Sequence, residues 1–265
     1  MRINACSVAF RHLDVTAADL ARYVDREGFD GLEIWSPHAR ALLRHWQVLD
    51  QRPRVPMLAG YLPLGMPDFD PAEARALVEL TAAWAAPRLR LFAGGIGSRE
   101  ADAAQHRAIL DDLRRVADMA ADHGLRVAVE MHPGTLADSV PATEGLLAAL
   151  DHAAVGINFD VLHVWEGGAD PLAAFTRLAP DVLHFHLKNV TGRDRLSVFE
   201  PQNVHDPKGG RDGMCPLFGG VLDYARILGA LPPQADGSLE WFGPRPAGTM
   251  RADLAQIRAL ALQAA

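Results

Sequence analysis

The chain has 265 residues, of which 49% are hydrophobic and 22% charged, with a net charge of −7 and an isoelectric point near 5.8. This balance fits a soluble globular protein with one large domain or two small ones, and it excludes a general nucleic-acid binder, which needs a basic face to meet phosphate. No apolar stretch approaches the roughly 20 residues that cross a bilayer, and two cysteines, Cys6 and Cys215, without CxxC spacing, supply no disulfide framework and point to a reducing cytoplasm.

The first residues, MRINACSVAF, carry one early arginine and a mixed run too short for the apolar core of a signal peptide. From there, short apolar runs alternate with helix-period segments. The predicted strands are INACSVAF, GLEIW, VPMLAGYL, RLRLFAG, LRVAVEMH, VGINFDVLH, VLHFHLKNV and SLEWFG. Helix starts are marked by Asp70-Pro71-Ala72-Glu73 and by Asp170-Pro171, with Asp at the N-cap and Pro at the first helical position. Gly28, Gly31 and Gly124 fall where helices should stop and strands begin. Eight strand and helix pairs without a linker match the size of a closed (β/α)8 barrel, an α/β fold forming one domain over residues 1–265. A doubly wound open sheet is the alternative, but no GxGxxG follows the first strand.

Glu130, Asp160, His186 and Glu240 each interrupt one of these runs near its end. Taken singly, a strand carboxylate is as compatible with a buried ion pair as with a ligand. Four interruptions at the mouth end of four barrel strands share one explanation, a bound cation that offsets the desolvation of the carboxylates. Oxygen-rich ligation with a single nitrogen favours one divalent metal ion of the Mn2+ or Mg2+ type over structural zinc. Three carboxylates and a neutral imidazole around a dication leave one negative charge, which Lys188, Arg90 and Arg211 can offset with capacity left for an anionic substrate. Side chains two apart on a strand share a face, so His132 accompanies Glu130, and His184, His186 and Lys188 line up together. His163, Arg90 and Tyr61 lie at or just past strand ends. Trp35, Trp165 and Trp241 follow strand ends too and are expected mostly in the core. Some thirty residues rich in Gly, Pro and charge, 191–220, separate the seventh strand from the next helix, a length typical of a functional loop that lids a mouth.

The four candidate ligands resemble the metal quartet of the xylose-isomerase-like TIM barrels, a superfamily of sugar isomerases, ketose epimerases, inosose dehydratases and an endonuclease branch. Longer strings are similar to the 3-dehydroshikimate dehydratases: FRH at Phe10 to His12, LFAG at Leu91 to Gly94, E-x-H-P-x-T-L-x-D at Glu130 to Asp138, HVWEGGADP, HFHLKN, VFEPQNV, RDGMCPLF and SLEWFG. The resemblance implies Glu130, Asp160, His186 and Glu240 as metal ligands, and Tyr61, Arg90, His132, His163 and Lys188 as residues that contact substrate or move protons. The segment around Tyr61, MLAGYLPLG, is less polar than its family counterpart. The expected activity is metal-dependent dehydration of 3-dehydroshikimate, a small anionic cyclic substrate, to protocatechuate through a metal-stabilised enediolate. His132 is the expected base, Lys188 holds or protonates an oxygen, and Arg90 or Arg211 clamps the carboxylate. The alternative is a sugar or hydroxypyruvate isomerase or epimerase, since the same intermediate can be reprotonated instead of losing water. No nucleic-acid or membrane partner is expected, and a barrel of this kind is compatible with a homo-oligomer.

Overall fold

A computed structural model describes residues 1–263; the last two residues of the expected 1–265 domain lie outside the described residues. Eight strands form a closed barrel: β1 (Arg2–Cys6), β2 (Gly31–Trp35), β3 (Leu58–Ala59), β4 (Arg88–Phe92), β5 (Arg126–Glu130), β6 (Val155–Asp160), β7 (Val182–Leu187) and β8 (Asp236–Leu239). All neighbours pair in parallel, each with its sequence neighbours, and β8 closes on β1. Parallel pairing requires a crossover between strands, and helices supply it on the outside.

The expected starts are present. Asp70 accepts the Ala72 amide at 2.8 Å to open helix Pro71–Ala83, and Asp170 accepts the Leu172 and Ala173 amides to open Pro171–Leu178. Gly28 ends the first helix, Ala17–Glu27, at φ 78°, a left-handed conformation that glycine adopts without steric cost. Several strands are shorter than their apolar runs. INACSVAF leaves the sheet at Cys6 and turns into a 3-10 helix, Ser7–Phe10, while the third strand keeps only two residues, Leu58–Ala59, its N-terminal side limited by Pro56, which has no amide to donate. No described helix is long and apolar enough to cross a membrane.

Alternation gives the strands two different buried faces. Ile3, Leu32, Ile34, Leu89, Leu91, Val127, Val129, Ile157, Phe159, Phe185 and Leu187 belong to the apolar core packed under the helices. The intervening positions fill the lumen with polar groups: Asn4, Glu33, Arg90, Glu130, Asn158, Asp160, His184, His186 and Ser238 are all buried. At the floor, both Asp236 oxygens are taken by Arg2, Arg54 and Arg88, at 3.0, 2.5 and 3.2 Å.

A register shift between Ile157 and Asn158 sets the upper lumen, since beyond it Asn158 pairs with His184 and Asp160 with His186. Without it Asp160 would pair with Phe185, and one slip of register exchanges the faces. Gly156 permits the close approach there, because a Cβ on it would stand 2.6 Å from the Asp181 carbonyl oxygen.

The 191–220 segment is folded rather than an open excursion. It contains a 3-10 helix, Arg193–Phe199, and a short α-helix, Pro201–His205, and its later part, Met214–Cys215, pairs antiparallel with Asn189–Val190.

Candidate active site

Three carboxylates from three elements converge on one imidazole nitrogen at the C-terminal mouth. His186 Nδ1 lies 3.5 Å from Glu130 Oε2, 3.7 Å from Asp160 Oδ2 and 3.7 Å from Glu240 Oε1. Glu130 ends β5 and Asp160 ends β6, while Glu240 is the first residue beyond β8, fixed by its amide donating to the Leu187 carbonyl at 3.1 Å. Asp160 also caps the helix that follows, Val161–Glu166, its Oδ1 accepting the Leu162 and His163 amides at 3.0 and 3.1 Å. One oxygen is thus fixed to the backbone, and the other faces the cluster.

The cluster fits a divalent cation on two grounds. His186 Nδ1 is buried without a hydrogen-bond partner, a costly arrangement that coordination would relieve. Charge gives the second. Glu33, Glu130, Asp160 and Glu240 stand against two permanent cations, Arg90 and Lys188, in a nearly sealed space; the excess of two negative charges is what one dication offsets, leaving His186 neutral. As the protein stands, burial opposes a charged His186, but Glu33, Glu240 and Glu130 overcome it and hold the imidazole well above its usual range.

Lys188 and Arg90 are tied to the same carboxylates. Lys188 Nζ sits 2.7 Å from Asp160 Oδ2 and 2.5 Å from Glu240 Oε2; burial disfavours its charge, yet the two carboxylates raise its pKa above the ordinary lysine value. Arg90 Nε lies 2.9 Å from Glu130 Oε2, its Nη1 donates to the Gly60 carbonyl at 3.3 Å, and its Nη2 reaches the Tyr61 hydroxyl at 3.4 Å. Burial opposes ionisation of Glu130, and Arg90 and His186 outweigh it, so its carboxyl is held well below the usual range.

Above the cluster lies a cavity of about 220 Å³ lined by Tyr61, Arg90, Glu130, His132, His163, Lys188 and Glu240 together with Phe92, Phe199, Val204, His205 and Phe242. His132 packs against His163, ring centroids 4.4 Å apart, and against Phe92 at 4.6 Å. His132 Nδ1 is 2.7 Å from the Pro133 carbonyl oxygen, which only accepts, so Nδ1 carries the proton and the Nε2 lone pair is free. Burial first, and His163 second, push its pKa down to about 3. His163 is held in turn by Glu166, Nδ1 to Oε2 at 2.7 Å.

Of the ten residues singled out in the sequence, nine meet at this place and Arg211 does not. Its guanidinium is spent on the main-chain carbonyls of Asn203, Asp206 and Gly210, where it braces the Pro201–His205 helix, and it is absent from the cavity wall. The ring-bearing wall is made by Tyr61, Phe92, Phe199 and Phe242, whereas Trp35, Trp165 and Trp241 stay outside it.

Two residues join the site that the sequence reading left out. Glu33, at the centre of β2, is fully buried, and both its oxygens approach His186 Nε2, at 3.0 and 3.1 Å. Arg11 lies behind the wall and donates to the carbonyls of three of its residues: Val204 at 2.6 Å, Phe242 at 2.9 Å and Val8 at 3.3 Å.

A closed parallel barrel with a carboxylate and imidazole cluster at the C-terminal mouth defines the class: an α/β-barrel protein built to hold a divalent cation beneath a small cavity. The chain belongs to the xylose isomerase-like TIM barrel family, whose model matches residues 21–260. It is 33% identical, over 96% of its length and 95% of the relative's, to a 3-dehydroshikimate dehydratase of Bacillus anthracis. Its fold superposes on the crystal structure of AsbF from that organism, a probable 3-dehydroshikimate dehydratase involved in petrobactin synthesis, with a TM-score of 0.91, 32% identity and coverage of 97% and 99% of the two chains. The IolI protein, solved with a bound zinc atom, shares the fold at a TM-score of 0.73 and 14% identity over 99% and 97% of the chains.

Proposed function

We propose that this protein is a 3-dehydroshikimate dehydratase that requires a divalent metal ion, converting its substrate to protocatechuate and one molecule of water. The observation that carries the reading is the convergence of Glu130, Asp160 and Glu240 on Nδ1 of His186, beside a neutral His132. The end-to-end likeness to the Bacillus anthracis enzyme supports the choice of substrate.

Glu130, Asp160, His186 and Glu240 would hold the ion, and an oxygen-rich set of this kind suits Mn2+ or Mg2+. When bound, such an ion supplies Lewis acidity toward a ketone and its neighbouring hydroxyl. The protein's own groups account for the proton movements. His132, its Nδ1 proton anchored on the Pro133 carbonyl, offers Nε2 as the base for the hydrogen alpha to the ketone. The beta hydroxyl then leaves with a proton as water, and loss of one more ring proton, matched by protonation of the ketone oxygen, gives the aromatic dihydroxy acid. Lys188, fully buried and cationic, is placed to hold a developing negative oxygen. Arg90 acts mainly as a brace, since Glu130 and the Gly60 carbonyl take two of its faces, leaving the Nη2 and Tyr61 hydroxyl pair toward an anionic group. Phe92, Phe199 and Phe242 offer flat apolar surface to a six-membered ring and keep the space dry. Phe199, Pro201, Val204 and His205 from the 191–220 segment form part of that enclosure, which supports its reading as a lid. Cys6 and Cys215 are both buried free thiols, in keeping with a reducing cytoplasm.

The test is direct. Purified protein is incubated with 3-dehydroshikimate and Mn2+ or Mg2+, and the ultraviolet band of a dihydroxybenzoate is followed with and without chelator. Appearance of the band, its loss on chelation and its return with added metal are expected. Turnover of a ketose, with no band from 3-dehydroshikimate, would transfer the assignment to an isomerase or epimerase.

A further inference from the structure

Glu33 has no role in the reaction as derived above, yet it is among the most deeply enclosed charges in the molecule. Its side chain is 0% exposed, and its basic neighbours are two imidazoles: His186 Nε2 at 3.0 Å and His184 Nε2 at 3.4 Å. Among the described residues no lysine or arginine forms an ion pair with it, unlike Asp236 at the floor with three arginines. A buried carboxylate without a guanidinium or ammonium partner is expensive to keep, so what it does to the imidazoles must account for it.

Its geometry toward His186 is specific. Both carboxylate oxygens lie within 3.1 Å of Nε2, and an ionised carboxylate only accepts. Nε2 must therefore carry a proton whenever this contact is made. In a neutral ring the proton can reside on one nitrogen only, so Nδ1 is left bare, and Nδ1 is the atom that faces Glu130, Asp160 and Glu240. The surroundings lock the arrangement. His184, two residues earlier on the same face of β7, donates or accepts at Ser238 Oγ at 2.8 Å and so packs beneath Glu33, and Cys6 Sγ approaches Glu33 Oε1 at 3.5 Å from the other side.

We propose that Glu33 is a positioning residue for the cation centre: it fixes the ring orientation and tautomer of His186, so that Nδ1 presents a lone pair to the space among the three carboxylates. The inference rests on the metal dependence proposed above. A carboxylate behind a ligating imidazole orients the ring and strengthens it as a donor. Glu33→Gln keeps the size but supplies an amide NH2 that can turn toward Nε2 and favour the tautomer with the proton on Nδ1, where it blocks the site.

The experiment measures binding rather than turnover. Wild type and Glu33→Gln, each stripped of metal and shown by circular dichroism to be folded, are titrated with Mn2+ while the free ion is followed by electron paramagnetic resonance. The dissociation constant of the variant is expected to rise about 10- to 100-fold, with the melting of the stripped protein changing independently. In the Mg2+-loaded wild type labelled with 15N-histidine, the His186 ring is expected to carry its proton on Nε2, a readout that stands even where the variant fails to fold. A purely structural glutamate would lower the melting temperature and leave Mn2+ affinity within about twofold of wild type, against the larger loss that an orienting carboxylate gives; that result, or a proton found on His186 Nδ1, overturns the inference. Failure of the wild type itself to bind Mn2+ or Mg2+ would overturn the metal reading first and this one with it, so the two failures are distinguishable.

Discussion

Asp253 offers a test of the energetics around the site in which the sign and size follow from a single contact. It lies in the last helix, Pro246–Gln263, is 5% exposed, and its Oδ1 accepts the Leu217 amide at 3.0 Å. Leu217 in turn accepts from Asn189 Nδ2 at 2.7 Å, one residue beyond Lys188, so the contact anchors the chain where it leaves the site. Burial pushes the Asp253 carboxyl up from 3.8 to about 6; the Leu217 amide offsets part of this, and no cation contributes. The folded state therefore binds a proton that the unfolded state releases between about pH 4 and pH 6, and stability falls as pH rises through that window. The ionised carboxylate costs the folded protein about 3 kcal/mol above the window. Asp253→Asn removes the titration and retains an acceptor for Leu217. Any fixed cost of the new amide is the same at every pH, so the difference between conditions isolates the ionisation. Relative to wild type, the variant should gain about 2 kcal/mol on going from pH 4.5 to pH 8, the share of the linkage that falls in this interval. Urea unfolding of both proteins at the two values measures it. An effect that is the same at both pH values, or one that disfavours the variant more at pH 8, would refute the reasoning.

Two further substitutions separate binding from chemistry. His132→Gln should lower kcat by about 10²- to 10⁴-fold, the usual worth of a positioned base, while Mn2+ binding by the same titration stays at the wild-type value; retention of near-normal turnover would remove His132 from the role of base. Arg11→Ala withdraws the donor that ties together the carbonyls of Val8, Val204 and Phe242. It should raise KM by about tenfold, equivalent to some 1.4 kcal/mol, and expose the Pro201–His205 region to protease, with little change in the melting of the barrel; unchanged KM and unchanged cleavage would show that the wall stands without it.

How far the site was legible depends on whether its geometry is local. Glu130, Asp160, His186 and Glu240 stood out because each breaks an apolar run at the mouth end of a strand, and a closed barrel leaves such positions nowhere to point but inward. The β/α alternation was legible for the same reason, through repeated runs and Asp-Pro starts. Glu33 carries the same kind of signal, a carboxylate between Leu32 and Ile34, but it sits in mid-strand. Which layer of the lumen it reaches is set by the stagger of β2 against β7, which no local pattern encodes. Arg11 stands in the FRH string, but nothing local tells its role: two of its partners are main-chain carbonyls 193 and 231 residues away, and any residue type could have stood at either. Arg211 failed in the opposite sense, since a cation in a Gly-rich loop reads as available, whereas three carbonyls of its own loop consume it. Strand lengths were overestimated where an apolar run continues into a turn, as at Ser7–Phe10, because hydrophobicity reports burial and not pairing.

The lumen divides its polar residues into layers. At the floor, Asp236 receives N–H donors from three arginines on both oxygens, and burial notwithstanding, Arg2 and Arg54 hold its carboxyl far below the usual range. Such a layer is saturated and serves the barrel's closure. One level up, His184 spends Nε2 on Ser238 and lies against Glu33. At the next, Glu33 takes the Nε2 proton of His186, and Nδ1 of that ring, which has no hydrogen-bond partner, faces Glu130, Asp160 and Glu240. At the mouth, Lys188 and Arg90, held on the same carboxylates, bring the negative charge that draws a dication and the positive charge that an anionic substrate needs within one hydrogen-bond length of each other.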